Sequence, residues 1–213
     1  MHLPFHVLWG RYPLPIQTLR GKQRTTQFVV RSVPLRSPDL VVIATLLPLS
    51  DTFTQLALSS AGINAHGACV LAEGIRQATK LTDISLWDNS ISCRGAAAVT
   101  DALIEAAEVR TMHGPRFGLT GYGHSLTALN LAGNGIGDEG VASLSRLIGR
   151  LPTLQSLDIS HNDRITMAVG DTLSSALLKA YARACVGAGG LSRFTFDWSC
   201  TVRCAATKTR IQR

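Results

Sequence analysis

The sequence predicts a curved α/β solenoid, with short parallel strands on a concave face and helices on a convex one. Three observations lead there. An apolar frame returns every 28 residues, an Asn holds the same place in three copies of it, and a Gly opens a helix-like second half in three copies. A fixed period marks a stack of repeats, in which each unit contacts mainly its neighbours.

The frame is plainest in LTDISLWDNSI, Leu81 to Ile91. It recurs as LTALNLAGNGI (126–136), as LQSLDISHND (154–163) and more weakly as FTQLALSSAGI (53–63). It reads L-x-x-L-x-L-x-x-N-x-I. Its fourth and sixth positions alternate, so both side chains point to one face of a short strand. The Asn at position nine stands where the strand must turn. There its amide can satisfy backbone groups that a bent, buried segment leaves unpaired. Asn89, Asn134 and Asn162 are therefore expected to form a structural ladder through the stack.

Each second half begins with Gly67, Gly95 or Gly140. Leu71, Val99 and Leu144 follow four residues later, then Ile75, Leu103 and Ile148. Apolar residues at i, i+4 make one face of a helix. Each unit is thus strand, turn and helix, and none buries its apolar face alone. Counting back from Phe53 predicts a degenerate first repeat over 25–52. Phe28 and Val30 fall at its strand positions and Ile43 and Leu47 at its helix positions. Ser37-Pro38-Asp39 reads as a helix start with a capping hydroxyl.

Two spacings break the period. Leu81 to Leu126 is 28 plus 17 residues, which predicts an insertion near Val109–Ser125 containing five Gly or Pro residues. Leu154 to Leu191 is nine residues over, which predicts a longer helix through Tyr181 and Cys185 into Gly187–Gly190. Leu191, Phe194 and Phe196 restart the frame without a second half. The expected organisation is a flexible basic tail over 1–24, about five repeats over 25–198 and a basic tail over 199–213.

LTALNLAGNGIGDEGVASLSRLI, Leu126 to Ile148, resembles the leucine-rich repeats of the ribonuclease-inhibitor-like subtype, and the likeness runs over roughly residues 25–198. It departs at Phe53, at Ala61 in the Asn position, and at Ala168 and Val169 in place of the helix Gly. The resemblance implies the leucine-rich-repeat solenoid and a protein-binding scaffold. It also implies an alternative, a GTPase-activating or other regulatory protein, in which Arg94 or Arg164 near the turns stabilises charge in phosphoryl transfer.

Composition agrees with an ordered chain: 46% hydrophobic and 16% charged in 213 residues. The net charge of +7 is uneven. Residues 1–50 hold six Lys/Arg and one Asp, residues 51–198 hold eleven against thirteen acids, and residues 199–213 hold four with no acid. The repeats are near neutral. The tails lack the dense basic runs and interleaved aromatics of nucleic-acid binders, so no nucleic-acid partner is expected. No secretory signal is legible in MHLPFHVLWGRYPLP, and the apolar run Leu40–Leu49 is too short to cross a bilayer. Five cysteines in no paired pattern fit a reducing, cytoplasmic setting rather than a disulfide framework. The chain is expected to be a monomer or part of a larger assembly.

Little chemistry is legible. Cys200, Cys204, His113 and His124 do not have the spacing of a zinc site, and no nucleophile elbow or phosphate loop occurs. No enzyme activity, metal or cofactor is expected. The concave face carries more information. Its residues include Asp83, Ser85, Trp87, Asn130 and Asp158, with His161 nearby. A solvent-facing Trp among acids is the pattern of a protein-binding anchor. The competing reading packs Trp87 sideways on a strand neighbour such as Asn130, or under the insertion.

Overall fold

The computed structural model describes residues 25–50, 52–78, 80–112, 125–185 and 193–195. The expectations placed on residues 1–24, most of the insertion, Gly187–Gly190, Phe196, Trp198 and 199–213 lie outside them. Strands and helices alternate: β1 (Gln27–Arg31), α1 (Ser37–Leu46), β2 (Gln55–Ser59), α2 (Ala65–Gln77), β3 (Asp83–Ser85), α3 (Ser92–Met112), β4 (Ala128–Asn130), α4 (Asp138–Arg150), β5 (Ser156–Asp158), α5 (Gly170–Cys185) and β6 (Arg193–Thr195). The strands form one parallel sheet in sequence order. Gln27, Gln55, Asp83, Ala128, Ser156 and Arg193 stand in register across it. This is the solenoid that the 28-residue frame predicts, and the insertion leaves the register of β3 and β4 intact.

The core lies between the sheet and the helices. Leu56, Leu58, Ile84, Leu86, Leu129, Leu131, Leu157 and Ile159 point into it from the strands and are essentially buried. Leu71, Ile75, Val99, Leu103, Leu144 and Ile148 meet them from the helices. In the degenerate first repeat Phe28 packs edge-on against Phe53, with ring centroids 6.0 Å apart. α3 extends to Met112, so the insertion begins as helix.

Glycines set how closely the layers approach. A Cβ on Gly67 would lie 2.5 Å from Leu40 Cδ1, and one on Gly95 would lie 2.8 Å from the Ala68 Cβ. Gly74 of α2 sits against the backbone of Ala44 in α1. In the fifth repeat Ala168 and Val169 stand where earlier repeats have Gly, and a 3-10 turn, Met167–Val169, precedes α5. The turn lets α5 start later, clear of that close contact.

The helix starts differ from one another. The sequence points to Ser37 as the cap of α1, but the cap position is Arg36. Its N–H donates to the Asp39 carboxylate at 2.9 Å, so the acid at the third helical position closes the turn instead of the hydroxyl. Asn64 caps α2 in the usual way, its Oδ1 accepting from Gly67 N at 2.8 Å. At the start of α4, Asp138 reaches to the next repeat and accepts from the Thr166 hydroxyl at 2.6 Å and the Thr166 N–H at 2.7 Å. These bonds hold its carboxyl below the usual carboxylate range. The unfolded chain binds that proton more tightly, so the contribution is present above the ordinary carboxylate range and is lost as pH falls toward the folded value. Asp138→Asn should therefore lower the melting temperature at pH 7 and leave little difference at pH 2.

Two polar ladders cross the repeats. Asn89 accepts from Ala61 N and Ile63 N, both at 3.0 Å, and donates to the carbonyls of Leu58, Leu86 and Trp87. Asn162 does the same with Asn134 N and Ile136 N, and with the carbonyls of Leu131, Ile159 and Ser160. Asn134 donates three bonds, but its Oδ1 is buried without a partner. The second ladder runs along the opposite ends of the strands. Thr82 and Thr127 each donate both N–H and hydroxyl to the carbonyl of the Thr one repeat earlier, at 2.7 and 3.0 Å. Thr54 does so more loosely with Thr26, at 2.9 and 3.4 Å. Its sequence signal is the Thr in second place in TTQ, FTQ, LTD and LTA, which the apolar frame passes over.

Just after each of the first five strands stands a left-handed residue, Ser32, Ser60, Asp88, Gly133 or His161, with φ between 51° and 66°, and Gly62 and Gly135 add a second in two of the corners. Four of the five are not glycine. Small polar residues, Asp and His are among those that accept this region at least cost.

Candidate concave-face binding surface

Strand residues that point away from the core form three rows on the concave face. The first is Gln27, Gln55, Asp83, Ala128, Ser156 and Arg193. The second is Val29, Ala57, Ser85, Asn130, Asp158 and Thr195. The third, one step further along, holds Arg31, Ser59, Trp87, Ala132 and Ser160. Small residues dominate, so the sheet curves around a shallow groove of about 360 Å³, floored by the first two rows.

The polar side chains of this floor hold one another. Asp158 accepts from Ser160 N at 3.0 Å and Ser160 Oγ at 2.7 Å, and its other oxygen accepts from Asn130 Nδ2 at 3.4 Å. Asn130 Oδ1 accepts from Ala132 N at 3.0 Å. Thr82 Oγ1, whose one proton is shared with the Thr54 carbonyl, lies 2.6 Å from Asp83 Oδ2, and the hydroxyls of Ser85 and Ser59 lie 3.4 Å apart. Fixed rotamers lower the ordering cost of binding.

Trp87 stands out among its row neighbours. Ser59, Ala132 and Ser160 are buried, Arg31 at the edge of the sheet is exposed, and Trp87 is 46% exposed. Its carbonyl accepts from Ser60 N at 2.9 Å and from Asn89 Nδ2, so its backbone is fixed by the Asn ladder. Its indole nitrogen leans toward Gly133 of the next repeat, 3.9 Å from where a Cβ would stand.

The predicted residues do not form a single ring around Trp87. Ser85, Asn130 and Asp158 share one row. Asp83 lies in another, two strands and one row from Asp158, about 12 Å at ordinary sheet spacings. Asp88 and His161 belong to the left-handed corners, and Asp88 accepts from Ser60 Oγ at 2.7 Å. Arg94 and Arg164 are exposed, Arg94 in the first turn of α3 and Arg164 in the corner strand contact with Gly137. Among the described residues no three His, Cys, Asp or Glu side chains come together, and no helix is long and apolar enough to cross a membrane.

A leucine-rich-repeat family model matches residues 124–145 and 150–166, which hold β4 with Asn134 and β5 with Asn162. The chain carries leucine-rich repeats. The solenoid is similar to the tropomodulin C-terminal domain of Caenorhabditis elegans, with a TM-score of 0.59 and 14% identity over 81% of this chain and 94% of that one. It is also similar to actin-binding site 2 of leiomodin-1, with a TM-score of 0.52 and 17% identity over 81% of this chain and 93% of the other. No curated protein sequence matches this leucine-rich-repeat chain. At these identities the two structures establish the shared fold. The ribonuclease-inhibitor-like subtype is compatible with it.

Proposed function

We propose that this leucine-rich-repeat protein is a non-catalytic scaffold that holds a protein partner on its concave face. The observation that carries the reading is Trp87: a large indole, about half exposed, on a rigid backbone amid small residues with satisfied polar groups. Exposed aromatic anchors on preorganised surfaces dominate protein-binding energetics. Asp83 and Asp158 would add charge matching, and the insertion over 109–125 offers a second surface. The leiomodin-1 domain of similar fold is described as an actin-binding site, which makes actin the first partner to try. The setting that fits is reducing and intracellular, where the free thiols of Cys69 and Cys93 persist.

The test compares wild type with Trp87→Ala/Asp158→Ala, first against purified actin and then by capture from a native extract. Trp87→Ala alone should cost about 1 kcal/mol of stability or less, because the side chain is half in water. Circular dichroism and a thermal melt check this. A partner bound by wild type and lost by the folded double variant supports the concave anchor. Equal binding by both moves the interface to the insertion.

A further inference from the structure

The first helix carries more apolar surface than its visible neighbours cover. In α1 the residues Leu40, Val41, Val42, Ile43 and Leu46 run around the whole circumference, and Leu47 and Leu49 continue the apolar run. A helix that is apolar all round is one covered on every side. By contrast α2 turns Glu73 and Arg76 outward, and α4 turns out Glu139 and Arg146. The structure covers part of α1. Leu40 and Ala44 meet α2 at Gly67 and Gly74, and Ile43 and Leu47 are buried in the core. Val42 and Leu46 remain half-buried, Val41 is 50% exposed and Leu49 is 71% exposed. At 100° per residue Val42, Leu46 and Leu49 lie on the side turned away from α2. Every inner repeat has a neighbour on that side. Among the described residues the first repeat has none.

We propose that residues 1–24 of this chain are the missing neighbour, a cap laid over the outer side of α1. Three facts favour this occupant. The segment is delivered to that end, since only Thr25 and Thr26 separate it from β1. It is long enough, because 24 residues span up to about 80 Å when extended, against about 15 Å for a ten-residue helix. Its composition is complementary. Phe5, Val7, Leu8, Trp9, Leu14 and Ile16 precede most of its basic residues, and a solvated tail has no use for them. Pro4, Pro13 and Pro15 favour an extended strap over a helix. Terminal repeats of solenoids require such caps.

The test uses the full chain, by hydrogen–deuterium exchange and thermal melting. Leu49→Lys is harmless if that face meets water and damaging if it lies under a cap. Phe5→Ser/Leu8→Ser/Trp9→Ser removes the cap's apolar side without touching the solenoid. Both variants should lower the melting temperature and speed exchange of α1 amides by at least about tenfold, while α4 keeps its protection. The proposal is overturned if residues 1–24 of the wild type exchange at free-peptide rates, or if either variant leaves α1 unchanged. It is equally overturned if α1 protection rises with protein concentration and survives the triple substitution. A second copy would then be the cover.

Discussion

Gly74→Ala should destabilise the protein by about 3 kcal/mol, although alanine is the better helix former by about 1 kcal/mol. A Cβ at that position would stand 2.5 Å from the Cα of Ala44 and 2.8 Å from its carbonyl carbon. A side chain in the way could change rotamer, but here the obstacle is the main chain of α1. Relief requires moving the two helices apart, and that loosens Leu40, Leu71 and Ile75, all buried along the same seam. Gly149 in α4 provides the contrast, with nothing within 4 Å of its added Cβ. Gly149→Ala should be neutral or stabilising by up to about 1 kcal/mol. Urea unfolding of the two single variants reads the difference directly. Equal effects would mean that α1 and α2 are not this close in solution.

Asn162→Ala should cost about 4 kcal/mol, and Asn134→Ala about 2 kcal/mol less. Asn162 closes two buried N–H groups and three carbonyls at once, and alanine takes that partner from all five, with only the Leu131 carbonyl keeping a second bond, from Asn134 Nδ2. Asn134 serves only three carbonyls, because its Oδ1 already lacks a donor. The repeat before it is the one that continues into the insertion, and its Ser92 takes a left-handed φ of 57° where α3 begins. There Ser92 N donates to the Asn134 carbonyl, and the amides that would have met Asn134 Oδ1 do not. Denaturant midpoints for the two variants, measured with unchanged slope, test the ranking. An Asn134→Ala cost as large as that of Asn162→Ala would mean the orphaned oxygen finds a partner in solution.

The solenoid was legible because its signals are local and repeated. The inward strand positions could not be mistaken once the same alternation returned at Ile84, Leu129 and Leu157, and the Asn corner marked each turn. The start of α1 was not legible, since Ser37 and Asp39 are both good capping residues and the choice between them depends on how the chain leaves β1. The concave rows followed from the strand frame. The grouping around Trp87 did not, because it depends on which way one indole leans and on which residues the left-handed corners carry. His161 follows the strand closely enough in sequence to suggest that face, but its left-handed φ places it on the corner.

The threonine ladder has a consequence for how such a surface could change over time. Along that rim the carbonyls of Thr54 and Thr82 each accept two amide N–H groups and one hydroxyl from the following repeat. Their lone pairs are spent within the protein. A visiting chain finds no free main-chain acceptor at those two positions, so this stretch of the rim does not grip peptides through their backbone N–H groups. Whatever the groove discriminates, it discriminates through side chains such as Gln55, Asp83 and Asn130, which the core does not need. Selection can therefore rewrite those letters one at a time while the scaffold beneath them stays the same.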